Sequence, residues 1–248
     1  LNNRKVASIG TLGVKSKKYK KDLSNTTIDP IQLSKILNKL KKQNIDNVIM
    51  EASSHGLSQN RLDGLLFNTG IFTNLSQDHL DYHKNTKNYL KAKLYLFDKL
   101  IKKGGNIITD EKIPEFKKIK NIATNKNLNL FSLLDKKNSF QFLSHQYEGE
   151  YQLLEIKYKN SIHKIKLNLI GKVQFKNLLM AVIASTKSGV NIEDILNAIP
   201  KIKSVEGRFE RVGRIKNNSK VILDYAHTPD ALKTCLQNIK EQFPGNKI

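Results

Sequence analysis

The segment that decides the predicted fold is residues 50–97, MEASSHGLSQNRLDGLLFNTGIFTNLSQDHLDYHKNTKNYLKAKLYLF. It begins at the end of an apolar strand predicted over residues 47–50, and Glu51 follows that strand directly. A second strand over residues 70–73 ends before Asn74, and a helix is predicted over residues 86–101. Because strands and helices alternate here, we expect an α/β fold in which the strand over residues 47–50 is buried.

The rest of the chain extends this pattern in both directions. The predicted elements are a strand over residues 6–10, a basic loop over residues 15–21, a helix that Asp29 caps and Pro30 begins, three antiparallel strands within residues 128–169, a helix from Gly171, two strands after residue 206, and a last helix ending near Gln242. We therefore expect a mostly parallel sheet with a small antiparallel addition in residues 1–206, and the start of a second domain in residues 207–248.

Composition limits the possible classes of protein. With 248 residues, of which 39% are hydrophobic, the chain can bury a large core. We expect no membrane insertion, because no apolar run reaches the roughly 20 residues that a membrane helix needs. The single cysteine, Cys235, fits a reducing cytoplasm. The sequence begins with Leu1 rather than methionine, so we expect it to be a fragment.

The net charge of +21 raises the hypothesis of a basic module that binds polyanions. Of the 43 basic residues only five are arginine, the residue expected at bidentate contacts with bases, and tryptophan is absent. We therefore expect a solvated basic surface without a specific nucleic-acid partner, although the charge alone allows weak binding to polyanions.

Polar residues directly follow three predicted strands: Glu51, Asn74 and Asp224. In open α/β sheets the ligand crevice lies outside the carboxyl ends of the strands, so these side chains are candidates for binding or catalysis. The alternative is that they only cap helices and turns.

The run Asp78-His79-x-Asp81-x-His83 concentrates carboxylates and imidazoles within six residues. Such groups can bind a divalent cation, and carboxylates with water suit Mg²⁺ or Mn²⁺. The spacing matches neither a zinc finger nor HExxH, and the alternative interpretation is a polar helix start with an aspartate cap.

Lys93 is predicted on an apolar face of its helix. Its neighbours three and four residues away are Tyr89, Leu90, Leu96 and Phe97. A lysine in such a place is desolvated and tends to lose its proton, which allows chemistry or a modification at the amine. The alternative is that the stem is buried while the ammonium reaches water.

Six motifs together resemble the Mur ligase family. In chain order they are ExSSHGLxQxR at residues 51–61, TNLSxDHLDYH at 73–83, YxxxK at 89–93, GxxQxxN at 171–177, EGRFE at 206–210 and DYAHTPDAL at 224–232. The first and last are similar to the branch that adds the third amino acid of the peptidoglycan stem peptide. The resemblance implies a P-loop-type central domain followed by the start of a Rossmann-like C-terminal domain.

The resemblance also implies roles for individual residues. An acceptor site for UDP-N-acetylmuramoyl-L-alanyl-D-glutamate would comprise Asn25, Thr26, Thr27, Ser53, Gln59 and Arg61. A catalytic Mg²⁺ site would comprise Glu51, His79 and Lys93, the last as a carbamate. ATP would contact Asn177 at its adenine end, Arg208 and Asp224 at its phosphates and ribose, and His227 in the same motif.

The implied reaction transfers a phosphoryl group from ATP to the acceptor carboxylate. The amine of an amino acid, meso-diaminopimelate or lysine, then attacks the acyl phosphate. The implied partners are ATP, the UDP-linked dipeptide and this amino acid, and the expectation is a cytoplasmic monomer. A folylpolyglutamate or cyanophycin synthetase-like ligase remains the alternative enzyme.

The sequence departs from the family pattern in its phosphate loop, since no Gly-Lys-Thr/Ser ending occurs in the 248 residues. We expect that loop upstream of Leu1, and we expect residues 1–248 alone to be inactive as a ligase. An assay of ATP-dependent ligation by this chain tests the expectation, and measurable product would contradict it. A milder departure is Gln174, where many relatives have asparagine.

Overall fold

The computed structural model describes residues 5–135, 138 and 140–248. The chain divides into two units. The first comprises the chain up to Gly70 with His79–Asn106 and Lys117–Asn129, and the second comprises Ile71–Asp78, Ile107–Phe116 and Leu130–Ile248. This division into units does not coincide with the domain boundary predicted near residue 206. That domain boundary stays a prediction. Over the described ranges, every helix is too short or too polar to cross a bilayer.

The first unit contains a four-stranded sheet with the strand order β3-β2-β1-β4. Its strands are β1 (Val6–Gly10), β2 (Gly13–Ser16), β3 (Lys20–Lys21) and β4 (Asn47–Met50). Strand β1 pairs in parallel with β4 and antiparallel with β2, and β2 pairs antiparallel with β3. The α/β fold is confirmed, but the basic loop predicted over residues 15–21 is in part a β-hairpin.

The predicted burial of β4 is wrong. Val48 is 37% exposed and Ile49 is 67% exposed. The reason lies in the strand order, because β4 is the outermost strand of this sheet and β1 is its neighbour on one side. An apolar run therefore identified the strand without identifying its surroundings.

Helix α1 (Pro30–Lys42) begins as predicted. The Asp29 side chain accepts a hydrogen bond from the Gln32 N–H, and Pro30 takes the first helical position. The apolar stripe is buried through Leu33, Ile36 and Leu40. The remaining helices that lie wholly in the first unit are α2 (Ser54–Ser58), α3 (Leu80–His83) and α4 (Thr86–Tyr95).

Strands β5 (Phe67–Phe72), β6 (Ile101–Thr109) and β7 (Asn129–Ser132) form a sheet in the order β5-β6-β7. The helix predicted over residues 86–101 is α4 followed by a π-helical turn over Leu96–Leu100. Helix α5 (Phe116–Asn125) precedes β7.

The second unit carries the predicted antiparallel addition. Strands β8 (Gln141–Glu148), β9 (Tyr151–Tyr158) and β10 (Ser161–Leu167) form an antiparallel sheet in the order β10-β9-β8. Helices α6 (Gly171–Lys187) and α7 (Ile192–Ala198) share its core. The chain then forms the antiparallel pair β11 (Glu210–Ile215) and β12 (Ser219–Leu223), followed by α8 (Pro229–Gln242).

Side chains of α8 cap the N-terminus of α6. Gln242 Oε1 accepts a bond from the Gly171 N–H at 2.8 Å, and Asn238 Oδ1 accepts one from the Val173 N–H at 3.2 Å. The residue before the helix, Ile170, offers no side-chain cap, so the buried Gln242 and Asn238 supply acceptors that the first turn needs. The start of α6 is therefore joined to α8.

Gly171→Ala is expected to lower the free energy of unfolding by more than the ~1–2 kcal/mol of a left-handed non-glycine residue. Gly171 has φ +81°, and a Cβ there would lie 2.9 Å from Asn238. Gly149→Ala is the matched control, since Gly149 has φ +57° and open space around it. Urea unfolding of both variants checks this, and equal losses would contradict the steric part of the argument.

Candidate functional site

Glu51 anchors a hydroxyl-rich network at the end of β4. Its Oε2 accepts hydrogen bonds from the Thr11 N–H at 2.8 Å and the Thr11 hydroxyl at 2.9 Å. The Thr11 and Thr26 hydroxyls are 3.0 Å apart. The structure thus brings predicted metal ligand Glu51 and predicted acceptor residue Thr26 to the same threonine. Sequence reasoning missed Thr11, because it lies 40 residues from Glu51.

Thr27 hydrogen-bonds to the backbone at residues 51 and 53 and to the Arg61 side chain. Its hydroxyl donates to the Glu51 carbonyl at 3.0 Å and accepts from the Ser53 N–H at 2.9 Å. The Arg61 guanidinium donates to the Thr27 carbonyl at 2.7 Å. Thr27 is buried, so its geometry is that of a residue that positions Glu51, Ser53 and Arg61.

Ser53, Gln59 and Asn25 have different environments. The Ser53 hydroxyl accepts a bond from the Gly56 N–H at 3.1 Å and so caps α2. Gln59 Nε2 donates to the Tyr82 hydroxyl at 3.1 Å. Asn25 is exposed, with its Nδ2 3.4 Å from the Ser24 hydroxyl. Their contacts with an acceptor stay predictions.

Tyr82 contacts the C-terminal end of α2. The Ser58 and Tyr82 hydroxyls are 3.0 Å apart, and the hydrogen bonds with Ser58 and then Gln59 lower the pKa of Tyr82 below its usual value. The sequence offered no signal for this contact beyond the presence of Tyr82 in the motif at residues 73–83.

Aromatic rings link His79 to Lys93. The rings of His79 and Tyr89 have centroids 5.9 Å apart, and the Lys93 ammonium lies 4.9 Å from the Tyr89 centroid. His55 adds a second imidazole 4.9 Å from His79. Lys93 is half-buried beside the buried Tyr89, which is consistent with the apolar surroundings predicted for it. His79 and Lys93, two of the three predicted metal ligands, therefore both contact the Tyr89 ring.

His83 packs inside the first unit and has a structural role. It is buried, its Nε2 lies 2.9 Å from the Ser54 hydroxyl, and its ring stacks on Tyr89 with centroids 5.1 Å apart. Burial first, and then the nearby His55 and His79, lower the pKa of His83 below 6.5.

This lowered pKa gives a pH prediction. The unfolded chain protonates His83 at a higher pH than the folded chain does, so the free energy of unfolding should fall as the pH drops below about 6.5 and be insensitive to His83 above it. Urea unfolding of the wild type and of His83→Gln at about pH 5 and about pH 8 checks this. The wild type should lose more stability between them, and equal losses would contradict the prediction.

The compact motif at residues 78–83 does not form a metal site by itself. In the described part of the chain, no three side chains among His, Cys, Asp and Glu come together as metal ligands. A site with Glu51 and His79 would therefore need a donor of another kind, and the carbamate predicted on Lys93 is such a donor. Carboxylate and carbamate oxygens fit Mg²⁺ in chemical type.

In the second unit, Asp224 joins two predicted ATP motifs. Its Oδ2 accepts a bond from the Phe209 N–H and its Oδ1 accepts one from the Ala226 N–H, each at 2.9 Å. The exposed Arg208 guanidinium lies over the Tyr225 ring, 4.9 Å from its centroid. The structure thus places Asp224 against the backbone next to Arg208, and the contacts of both residues with ATP stay predictions.

His227 and Asn177 are also exposed in the second unit. His227 Nδ1 lies 2.9 Å from the Tyr225 carbonyl, and its Nε2 lies 4.0 Å from Asp78 Oδ2. Asn177 lies in the second turn of α6. The four predicted ATP residues belong to the second unit, whereas the predicted acceptor and metal residues all belong to the first.

Two family models match this chain. Residues 1–185 match the Mur ligase middle domain, and residues 207–248 match the Mur ligase, glutamate ligase domain.

Curated relatives match the whole chain. The UDP-N-acetylmuramoyl-L-alanyl-D-glutamate--2,6-diaminopimelate ligase of Zymomonas mobilis subsp. mobilis is 35% identical over 245 residues, which are 99% of this chain and 50% of the relative. The protein of the same name from Rickettsia bellii is 36% identical over 253 residues, with coverages of 100% and 52%. The chain therefore spans about half the length of the curated relatives it matches.

Solved structures agree on the fold. A structure of a UDP-N-acetylmuramoyl-L-alanyl-D-glutamate--2,6-diaminopimelate ligase gives a TM-score of 0.78 at 26% identity, over 98% of this chain and 49% of that chain. The MurF ligase from Thermotoga maritima in complex with ADP gives 0.68 at 16% identity, over 99% and 52%, a likeness of fold alone. Since the middle-domain model matches 185 of the 248 residues, this chain belongs to the Mur ligase family.

Proposed function

We propose that this chain is the central domain (residues 1–206) and the start of the C-terminal domain (residues 207–248) of a UDP-N-acetylmuramoyl-tripeptide synthetase. The whole enzyme adds an amino acid to UDP-N-acetylmuramoyl-L-alanyl-D-glutamate at the expense of ATP. The observation that carries this is the match of 99% of the chain, at 35% identity, to a relative named for that ligation. That name specifies 2,6-diaminopimelate, which favours meso-diaminopimelate over lysine as the added amino acid.

The acceptor binds in the first unit. Asn25, Thr26, Ser53, Gln59 and Arg61 supply amide, hydroxyl and guanidinium groups that suit a ligand rich in amides and carboxylates. The buried Thr27 holds the Ser53 backbone N–H and the Arg61 guanidinium through the bonds at 2.9 and 2.7 Å. A preorganised set of donors holds the acceptor carboxylate for attack on ATP.

Glu51, His79 and the carbamate of Lys93 would hold Mg²⁺ in the same unit. The carbamate forms when the neutral Lys93 amine adds CO₂, making an N–C bond and releasing a proton, and it converts a potential cation into an anion. When bound, Mg²⁺ neutralises charge on the phosphoryl group and the acceptor carboxylate. Thr11 holds the Glu51 carboxylate in place with two hydrogen bonds.

The nucleotide binds through residues of the second unit. The exposed Asn177 amide contacts the adenine end, and the exposed Arg208 guanidinium meets the phosphates. Asp224 contacts the ribose and also fixes the Arg208-Phe209 turn through the Phe209 N–H. His227, which approaches Asp78, belongs to the same group.

The proposed reaction has two chemical steps. An acceptor carboxylate oxygen attacks the γ-phosphorus of ATP, the bond to ADP breaks, and an acyl phosphate forms. The amine of the amino acid then attacks the acyl carbon, the amide forms, and phosphate leaves with loss of a proton from nitrogen. The protein works mainly by positioning and charge neutralisation. We place the enzyme in the cytoplasm, as a monomer without a specific nucleic-acid partner.

Mass spectrometry of reactions with the full-length protein tests this proposal. ATP, Mg²⁺ and the UDP-linked dipeptide would be incubated with meso-diaminopimelate, lysine or glutamate in parallel. The proposal expects a product with meso-diaminopimelate and ADP formation that depends on both acceptor and amino acid. No product with any amino acid, or extension of a folate in its place, would overturn it.

A further inference from the structure

Asp110 is the buried carboxylate that the proposed mechanism leaves without a task. It follows β6 directly, and no other Asp or Glu among the described residues is as buried as its 3% exposure. Its Oδ2 lies 2.6 Å from the Lys176 ammonium, and its Oδ1 accepts a bond from the Lys112 N–H at 3.0 Å. Burial alone would raise the pKa of Asp110, but Lys176 and the Lys112 N–H together lower it below its usual value.

The pair joins the end of a strand to the second turn of a helix. Lys176 lies on α6 directly before Asn177, the proposed adenine contact. On the strand side, the buried Thr109 hydroxyl donates to the Phe72 carbonyl at 2.8 Å, which ties the end of β6 to the end of β5. All of these residues lie in the second unit, together with Arg208 and Asp224.

Stability alone is a poor explanation for such a pair. The Asp110 side chain is 4% exposed and the Lys176 side chain is 36% exposed, so the burial of the carboxylate costs hydration that offsets much of its attraction to the ammonium. What an ion pair can add is a defined geometry. Its place at the carboxyl end of a strand is where ligands bind in α/β sheets.

We infer that the Asp110–Lys176 ion pair is a positioning device that holds Asn177, through the second turn of α6, in place for the adenine end of ATP. This inference rests on the proposed function. It assigns a task to two residues that the six motifs do not specify, since Lys176 occupies an unspecified position of GxxQxxN and Asp110 lies outside all six motifs.

Three variants of the full-length enzyme test the inference. Lys176→Met leaves a buried anion without its cation, so both the melting temperature and the affinity for a non-hydrolysable ATP analogue should fall. Asp110→Asn/Lys176→Met removes both charges and keeps an acceptor for the Lys112 N–H, so the melting temperature should recover. Lys172→Met, at an exposed position of the same helix, controls for the loss of a positive charge.

Calorimetric titration with the analogue and with the UDP-linked dipeptide separates the outcomes. The double variant should bind the analogue on the order of tenfold more weakly than wild type, with acceptor affinity retained, as for other side chains that orient a binding group. Wild-type affinity in a double variant of restored melting temperature would show a purely structural pair and overturn the inference. If Lys172→Met bound the ATP analogue as weakly as the double variant, that result would also overturn the inference. A wild type that binds no analogue would instead count against the proposed function.

Discussion

Lys93→Ala in the full-length enzyme is expected to lower the ligation rate by about 100-fold or more. The substitution removes the proposed carbamate and with it one anionic ligand of Mg²⁺, and a loss of ~2.7 kcal/mol in transition-state stabilisation corresponds to that factor. The contact of Lys93 and His79 with the same Tyr89 ring supports this assignment. Steady-state assays of ADP release measure the rate.

Chemical rescue distinguishes the carbamate from a structural lysine. Short carboxylic acids such as acetate should restore part of the Lys93→Ala activity by supplying a carboxylate near the metal. Lys91→Ala is the matched control, because Lys91 is an exposed residue of the same helix and should keep wild-type activity. Full activity of Lys93→Ala would show that a carbamate on Lys93 is not needed for ligation. An equal loss of activity in Lys91→Ala would show that the effect is not specific to Lys93.

Glu51→Gln is expected to raise the Mg²⁺ concentration for half-maximal activity by about 10–100-fold. Glutamine retains an oxygen acceptor for the Thr11 N–H and hydroxyl, so the local structure should persist while the anionic charge is lost. Rates measured across a Mg²⁺ titration give the value.

The control for Glu51→Gln is Asp46→Asn, which removes a carboxylate from an exposed position just before β4. Its Mg²⁺ dependence should match that of the wild type. An unchanged Mg²⁺ requirement in Glu51→Gln would show that Glu51 acts only through Thr11.

The elements that the sequence predicted well carry local signals. Helix α1 has its cap, Asp29, and its proline, Pro30, at adjacent positions, and the structure confirms both. The hairpin of β2 and β3 was missed because its lysines suggested a loop, although Val14 points into the core. The exposure of β4 depends on which strands flank it, and no local pattern contains that information.

The candidate site shows the same limit. The apolar surroundings of Lys93 could be predicted from the sequence because its helical neighbours lie only three and four residues away. Thr11, whose hydroxyl holds Glu51, and Lys176, whose ammonium holds Asp110, act across 40 and 66 residues of sequence. Such contacts come from the tertiary fold, so the motifs identified the candidate residues but not those that hold them in position.

The most direct test of the acyl-phosphate mechanism follows the oxygen atoms of the acceptor carboxylate during the reaction. The full-length enzyme would be supplied with ATP, Mg²⁺, meso-diaminopimelate and a dipeptide acceptor labelled with ¹⁸O in both carboxylates of its D-glutamate. Attack of the carboxylate on ATP followed by attack of the amine predicts one ¹⁸O in the phosphate released for each amide formed. Amide formation with no label in phosphate would contradict the acyl-phosphate mechanism, and label release without any amide would contradict the proposed ligase.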